Sequence, residues 1–175
     1  MDKFIRIISH IAFCAISLSS TPLFAEQLTD VIQTTPDSRY LIHNNGTATD
    51  TRTGLMWKVC SEGETWSDAA CSADTSALLL TWNDAHIHAG SVEFAGFNDW
   101  RLPNYKELAS LLDFSRSDPA INQNIFFDTT AANYWTSSAS WRYEDYAFHV
   151  NFATGAIYIS GLDGAYRIRL VRGGY

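Results

Sequence analysis

The sequence predicts an α+β domain in which short antiparallel strands surround two helices. Three observations lead to this class. Apolar and polar residues alternate over the last third of the chain, two capped helical segments occupy its middle, and neither internal repeats nor a strand–helix–strand rhythm occurs. A chain of 175 residues has room for one such domain, with a core large enough to be stable alone.

Residues 1–25 differ from the rest and are predicted to be a secretory signal peptide. Lys3 and Arg6 precede an apolar run at 7–18, and small and polar residues lead to Ala25, after which we expect cleavage. The apolar run is too short, and wrongly flanked, for a dependable membrane span. We therefore expect an exported protein that resides in the periplasm, at the cell surface or outside the cell.

The rest of the chain divides into an arm and a domain. Residues 26–39 are polar and lack periodicity, which predicts an N-terminal arm, and strand signals begin at Tyr40, so residues 40–175 are predicted to form the domain. The whole chain carries −7, and the signal peptide holds two basic and one acidic residue, so its removal leaves −8. An acidic surface repels phosphates and anionic lipids, which disfavours nucleic-acid and membrane-surface binding.

The cysteines predict one disulfide. Cys14 lies in the signal peptide, and Phe13 stands before it where lipoprotein processing requires a small residue, so lipid attachment is disfavoured. Cys60 and Cys71 remain as a pair, and an oxidising compartment makes a disulfide between them the default. A zinc site is disfavoured because no second pair completes four ligands.

The first half of the domain shows strand and loop signals. Residues 39–50 predict a strand, a turn at Asn45 and Gly46, and a return strand. A further apolar strand is predicted at 55–59. Residues 61–76 are polar and are predicted to be a loop tied by the disulfide.

Two helices are predicted from their start signals. Thr81 caps the first, with Asp84 three residues on and Gly90 as its end. Asn104 caps the second, and Glu107 stands at the capping-box position.

The last third of the chain predicts antiparallel strands at 134–140, 146–152, 157–161 and 166–172. In the second of these, one face is apolar and largely aromatic (Tyr146, Phe148, Val150, Phe152). His149 points to the other face and is predicted to be an exposed polar residue.

Six blocks stand in an order and spacing that resemble the Lcl C-terminal domain family, over roughly residues 46–173. The blocks are "DTRTGLMW" at 50–57, "TWNDA" at 81–85, "GFNDWRLPNYKEL" at 96–108, "YWTSS" at 134–138, "FATG" at 152–155 and "RLVRGG" at 169–174. The family is named for the terminal domain of a bacterial collagen-like adhesin.

The resemblance implies a C-type-lectin-like fold, which is also related to the formylglycine-generating enzymes. It further implies adhesion, because the domain of the named adhesin binds sulfated glycosaminoglycans and assembles as a trimer. This chain lacks a Gly-X-Y collagen tract, so that trimerising element is missing. The formylglycine enzymes work through cysteines late in their chains, and none follows Cys71 here, so that activity is not implied.

The run "NDWRLPNYKEL" at 98–108 is predicted to be structural. An arginine fork at a strand-to-helix junction can satisfy several acceptors at once, which suits a buried clamp. Because the run recurs in a family without a common activity, we favour this role over ligand binding. The structural set comprises Asp99, Trp100, Arg101, Pro103 and Glu107.

The sequence predicts no catalytic residue, metal site or cofactor. "WND" at 82–84 matches letters of calcium-dependent lectin sites, but it stands at a helix start, and the partner tripeptides Glu-Pro-Asn and Gln-Pro-Asp do not occur. His86 and His88 are two residues apart on a helix and point to nearly opposite sides. Neither a nucleophile elbow nor a phosphate loop occurs.

Two surfaces are candidates for ligand binding. In residues 140–146, Trp141 and Tyr143 would stack on a sugar face, while Arg142, Glu144 and Asp145 supply hydrogen bonds. The simpler interpretation, which we favour, is a hairpin connection whose rings fold back onto the sheet. Trp141 lies outside the family-like blocks, and the four tryptophans within those blocks are predicted to fill the core (Trp57, Trp82, Trp100, Trp135).

The second candidate surface is the closing strand. Arg167 and Arg169 share a face, with Arg172 nearby, and could meet a sulfate or carboxylate. Acidic neighbours that neutralise them are the alternative.

These observations favour an exported, non-catalytic recognition module that binds a glycan, including a sulfated glycosaminoglycan, or a surface protein. The alternatives are an exported enzyme acting on glycans or cell-envelope material, and a structural subunit that self-associates as a homo-oligomer.

Overall fold

The structure is a computed structural model that describes residues 31–72 and 78–174. The predicted signal peptide with Cys14 lies outside the described residues, as do residues 26–30 of the predicted arm and residues 73–77. Within the described ranges, no helix is long and apolar enough to cross a membrane.

Antiparallel strands and two helices make up the fold of the described residues, as predicted. The first sheet contains β1 (Tyr40–His43), β2 (Thr47–Asp50), β3 (Met56–Lys58) and, beside β3, the closing strand β9 (Val171–Arg172). A small hairpin pairs β4 (Thr65–Ser67) with β5 (Ala70–Ser72). The second sheet contains β6 (Asn133–Ala139), β7 (Tyr146–Asn151) and β8 (Ala156–Gly161), with β7 in the middle.

The predicted turn between β1 and β2 requires its glycine. Gly46 has a backbone φ of +79°, and a Cβ there would lie 2.7 Å from the Cγ of Trp66. A left-handed backbone and a close ring both select glycine. The predicted disulfide between Cys60 and Cys71 is present and links the end of the β3 segment to the β4–β5 hairpin.

Both helices begin where the sequence predicts. In α1 (Trp82–Ser91), the Thr81 side chain accepts a hydrogen bond from the Asp84 backbone, and Gly90 lies inside the helix because the helix continues to Ser91. In α2 (Tyr105–Ala109), Asn104 and Glu107 form the complete capping box. This helix ends one turn earlier than its apolar pattern suggests.

The second half of the predicted arm is docked on the domain. The Thr34 hydroxyl donates to the Leu112 carbonyl, and the Asn122 amide donates to the Thr35 carbonyl and to Asp37. A short 3-10 helix, Asp37–Arg39, leads into β1.

Within the described residues, the core consists of two apolar clusters. One lies under the first sheet and α2 and contains Trp57 with Leu108, Ile121 and Phe126. The other lies between α1 and the second sheet and contains Trp100 and Trp135. Trp82 is only half-buried, and its indole N–H donates to the Thr136 carbonyl at 2.8 Å.

The prediction that His149 is exposed is wrong. Its ring is buried among Trp135, Tyr158 and Tyr166, with ring centroids 4.8 to 5.9 Å away. On the other face of β7, Phe148 stacks on Tyr105 of α2. Because β7 is a central strand covered on both faces, the alternation of its residues does not separate buried from exposed positions.

Candidate ligand-binding cleft

Arg101 forms a clamp at the surface rather than in the interior. Its guanidinium donates to both Glu107 carboxylate oxygens, at 2.8 and 2.9 Å, and to the Gly173 carbonyl at 2.8 Å. Burial opposes ionisation of Glu107, but the hydrogen bonds from Arg101 and from the Asn104 backbone outweigh it and hold its pKa below the usual value. The Arg101 side chain is still 32% exposed.

Arg169, and not Arg101, is a buried arginine that donates to several acceptors. Its side chain is fully buried and donates to the Lys58 and Val59 carbonyls and to the Ser61 and Thr129 hydroxyls. Burial lowers its pKa. No surface ligand reaches this side chain, so the prediction of Arg169 as a ligand-binding residue is corrected.

The other two arginines of the closing strand are also engaged inside the protein. Arg167 lies 3.8 Å from the Glu64 carboxylate and is largely covered. Arg172 donates to both oxygens of Asp99, at 2.7 and 3.0 Å, and its guanidinium lies 3.7 Å from the centroid of the Phe97 ring. Asp99 therefore pairs with Arg172 and not with Arg101.

Residues 140–146, hereafter the 140–146 loop, present their side chains to solvent. Trp141 is 86% exposed, so this ring does not fold back onto the sheet, in contrast to the interpretation favoured above. The Arg142 guanidinium lies 5.5 Å from the centroid of the Tyr143 ring, which in turn lies 5.4 Å from the ring of Tyr146. The loop offers a row of exposed rings.

The backbone of the loop is held in place. The Ser140 hydroxyl accepts hydrogen bonds from the Arg142 and Tyr143 backbones, both at 3.2 Å. The Ser140 N–H donates to the Tyr146 carbonyl at 2.7 Å and closes the loop. The exposed rings are thus carried on a fixed backbone.

A cleft of about 690 Å³ opens beside this loop, hereafter the acidic cleft. Three segments that are distant in sequence form its walls: the start of α1, the end of the 140–146 loop, and the turn after β8. Its lining residues are Thr81, Asn83, Asp145, Tyr146, Gly161, Leu162 and Asp163.

Main-chain hydrogen bonds join the three walls. The Leu162 N–H donates to the Asp145 carbonyl, and the Trp82 N–H at the start of α1 donates to the Leu162 carbonyl, both at 3.0 Å. The cleft is therefore formed before any ligand arrives, which reduces the entropy lost on binding.

The lining groups suit a polyhydroxylated ligand. Asn83, Asp145 and Asp163 are exposed and offer one amide and two carboxylates, while Tyr146 contributes a half-exposed ring. Amides and carboxylates donate to or accept from hydroxyls, and a ring face packs against sugar C–H groups. Sequence reasoning named Asp145 with its loop but missed Asn83 and Asp163, because only the tertiary fold brings the three segments together.

Other clusters of polar groups in the described part of the chain are less suited to a ligand. Glu64 lies close to Cys60 and Cys71, but both sulfurs are bonded to each other and cannot ligate a metal. Glu62 is buried and pairs with Lys58 and with His88, so its charge is neutralised internally.

One family model, described as the Lcl C-terminal domain, matches residues 46–172. The matched span includes every residue of the acidic cleft and of the 140–146 loop. No curated protein matches the chain.

Proposed function

The chain belongs to the Lcl C-terminal domain family, and from this premise we propose that it is an exported, non-catalytic recognition module that binds a glycan at the acidic cleft. In this proposal residues 1–25 direct export and are then removed, and the fold is of the C-type-lectin-like class. Membership of this family favours an adhesin-like role.

The observation that carries the proposal is the exposure of Trp141 in a loop whose last residues, Asp145 and Tyr146, line a preformed cleft. A tryptophan that is 86% exposed leaves most of its apolar ring in water. Contiguous exposed apolar patches rimmed by polar groups mark interaction sites, and the same loop adds the neighbouring exposed rings of Tyr143 and Tyr146. Tryptophan and tyrosine are also the residues enriched where binding energy concentrates.

The charges support a glycan without sulfate groups. The three arginines of the closing strand are paired with Glu64 and Asp99 or are buried, which leaves Arg142 as the exposed arginine of the candidate set, and the cleft contains carboxylates. Like charges across an interface disfavour binding. The sulfated ligand of the named adhesin is therefore not the ligand we propose.

Hydrolysis is a less favoured function for the same cleft. A glycosidase keeps one carboxyl group protonated at neutral pH by burying it. Asp145 and Asp163 are both exposed. Product analysis after prolonged incubation with each bound glycan separates the two functions, since a recognition module leaves the ligand intact.

The test compares Trp141→Ala with a matched control, Phe114→Ala. Phe114 is 56% exposed and lines a different cleft, beside Arg39. We expect Trp141→Ala to weaken a glycan identified on an array about tenfold, because a stacked ring contributes roughly 1–2 kcal/mol. Phe114→Ala should bind like the parent, and both should keep the parental melting temperature.

Two outcomes would refute this assignment. One is equal binding by Trp141→Ala and the parent, which would remove the loop from the site. The other is a glycan array with no bound sugar but a concentration-dependent oligomer, which would favour a self-associating subunit.

A further inference from the structure

We propose that the acidic cleft selects an amino sugar in its ammonium form, as it occurs in polymers of unacetylated hexosamine. This inference rests on the proposed function, because it names the ligand class of the same cleft. It differs from that function in predicting a cationic ligand where any neutral glycan would satisfy the general proposal.

Among the described residues that line the cleft, two side chains are anionic and none is cationic. Asp145 and Asp163 are the charged lining residues, and neither forms an ion pair among the described residues. Elsewhere in the fold, carboxylates such as Asp50 and Asp99 lie against an arginine. The cleft thus holds negative charge that the fold itself leaves unneutralised.

Asp163 contributes its carboxylate to the cleft wall. It folds back against Gly161, where a Cβ would lie only 2.8 Å from the Asp163 Oδ1 and 4.0 Å from the Asp145 carbonyl oxygen. A glycine at this position leaves room for the carboxylate beside that carbonyl. Both oxygens are acceptors, and an ammonium group has three donors and no acceptor.

The aromatic wall favours the same ligand. Tyr146 lines the cleft, and Tyr143 extends its ring surface. Ring faces carry negative potential and attract an ammonium group, and they also pack against the C–H face of a pyranose. A sulfated or carboxylated sugar would meet repulsion from the carboxylates.

The experiment is calorimetric titration of the full mature chain with three probes. These are a tetramer of β-1,4-linked glucosamine below the pKa of its amines, the same tetramer fully N-acetylated, and a heparin tetrasaccharide. We expect about tenfold tighter binding of the unacetylated tetramer than of the acetylated one, roughly what two exposed ion pairs contribute together. The preference should shrink with added salt, and heparin should not bind.

A double variant tests the two carboxylates directly. Asp145→Asn with Asp163→Asn keeps hydrogen-bonding groups of the same shape but removes both charges. It should bind the two glucosamine-based tetramers equally, with the affinity of the acetylated one unchanged. The control removes two exposed charges outside the cleft, Asp68→Asn with Glu93→Gln, and should keep the parental preference.

The outcomes separate this inference from the proposed function. Equal binding of both tetramers by the parent would overturn the inference and leave the glycan-binding proposal standing. Failure of every sugar to bind would overturn both. Loss of the preference in a chelator, restored by calcium, would also overturn the inference, because a metal would then bridge the carboxylates to the sugar.

Discussion

The closing strand region from Arg167 to Arg172 and the 140–146 loop both carry arginine, yet they use their side chains in opposite ways. In the closing region each arginine has an internal partner, and Arg169 is fully buried. In the loop, Arg142 lies on a neighbouring ring and Trp141 stands in solvent. Charges engaged inside the fold stabilise it, and those left outside are available to a ligand.

The path of the chain explains the difference. The closing region passes between the two sheets, where Arg167 pairs with Tyr134, the Leu170 carbonyl accepts from Lys58, and Val171 pairs with Arg101. Side chains at the centre of this segment, Ile168 to Val171, are buried whichever way they point. The 140–146 loop instead connects two strands at one end of a sheet.

The largest expected effect is on stability, from Arg169→Met. Methionine fills similar volume but leaves two backbone carbonyls and two hydroxyls without their donor. We expect the free energy of unfolding to fall by about 3–5 kcal/mol, measured by denaturant titration. The matched change Arg142→Met in the loop should stay within about 0.5 kcal/mol of the parent. Equal stability of the two variants would contradict the conclusion that the closing region uses its arginine for stability and the loop does not.

A smaller effect is expected from pH. Burial lowers the pKa of His149 from 6.5 to about 4. Below pH 6.5 the unfolded chain binds a proton that the folded chain does not accept until about pH 4, so stability present above 6.5 is lost as the pH falls through that window. We expect a loss of roughly 2 kcal/mol between about pH 7.5 and about pH 5.

The control for this pH effect is His149→Phe, which keeps a ring among the neighbouring rings but cannot titrate. Denaturant midpoints measured across the pH range should differ between the parent and this variant in their slope below pH 6.5. Parallel curves would show that His149 is not the group responsible.

Arg101→Ala should have a moderate effect on stability. The buried clamp expected from sequence would have cost about 3–5 kcal/mol, but a side chain that is 32% exposed is screened by water. We expect about 1–2 kcal/mol, from loss of the Glu107 pair and of the bond to Gly173. An unchanged melting temperature together with lost glycan binding would assign Arg101 to the ligand.

The smallest expected effect is that of calcium. The ligand tripeptides of calcium-dependent lectins do not occur in the sequence, and the Asp84 carboxylate accepts a hydrogen bond from the capping Thr81 hydroxyl. We therefore expect the glycan affinity to be unchanged in a chelator, as measured by titration with and without added calcium.

Local features of the fold could be predicted from the sequence, and long-range ones could not. The Asn104 capping box and the Gly46 turn depend on residues that are neighbours in sequence. The Cys60–Cys71 disulfide is the single pairing possible for the two cysteines outside the predicted signal peptide. Arg169 and His149 were misplaced because their burial depends on which segments cover them. A periodicity of two identifies a strand but not whether one or both of its faces are covered.

The candidate site also has a part that could be predicted from the sequence and a part that could not. The exposed rings of the 140–146 loop lie together in sequence and could be named as a group. Asn83 and Asp163 could not be joined to them, because they stand about 60 and 20 residues from the loop and meet it only through main-chain bonds to Leu162. Resemblance to the family located the blocks that build the fold, whereas the loop side chains lie outside those blocks.

Because Ser140 closes the 140–146 loop, the fold does not depend on the side chains that follow Ser140 in the loop. The ties that hold it are main-chain bonds and one serine hydroxyl, so the side chains at 141–145 contribute little to them. This part of the surface can diversify without loss of folding, as the variable loops of an antibody do on their constant framework. A display library randomised at these five positions, with Ser140 retained, would yield binders of new specificity on an unchanged scaffold.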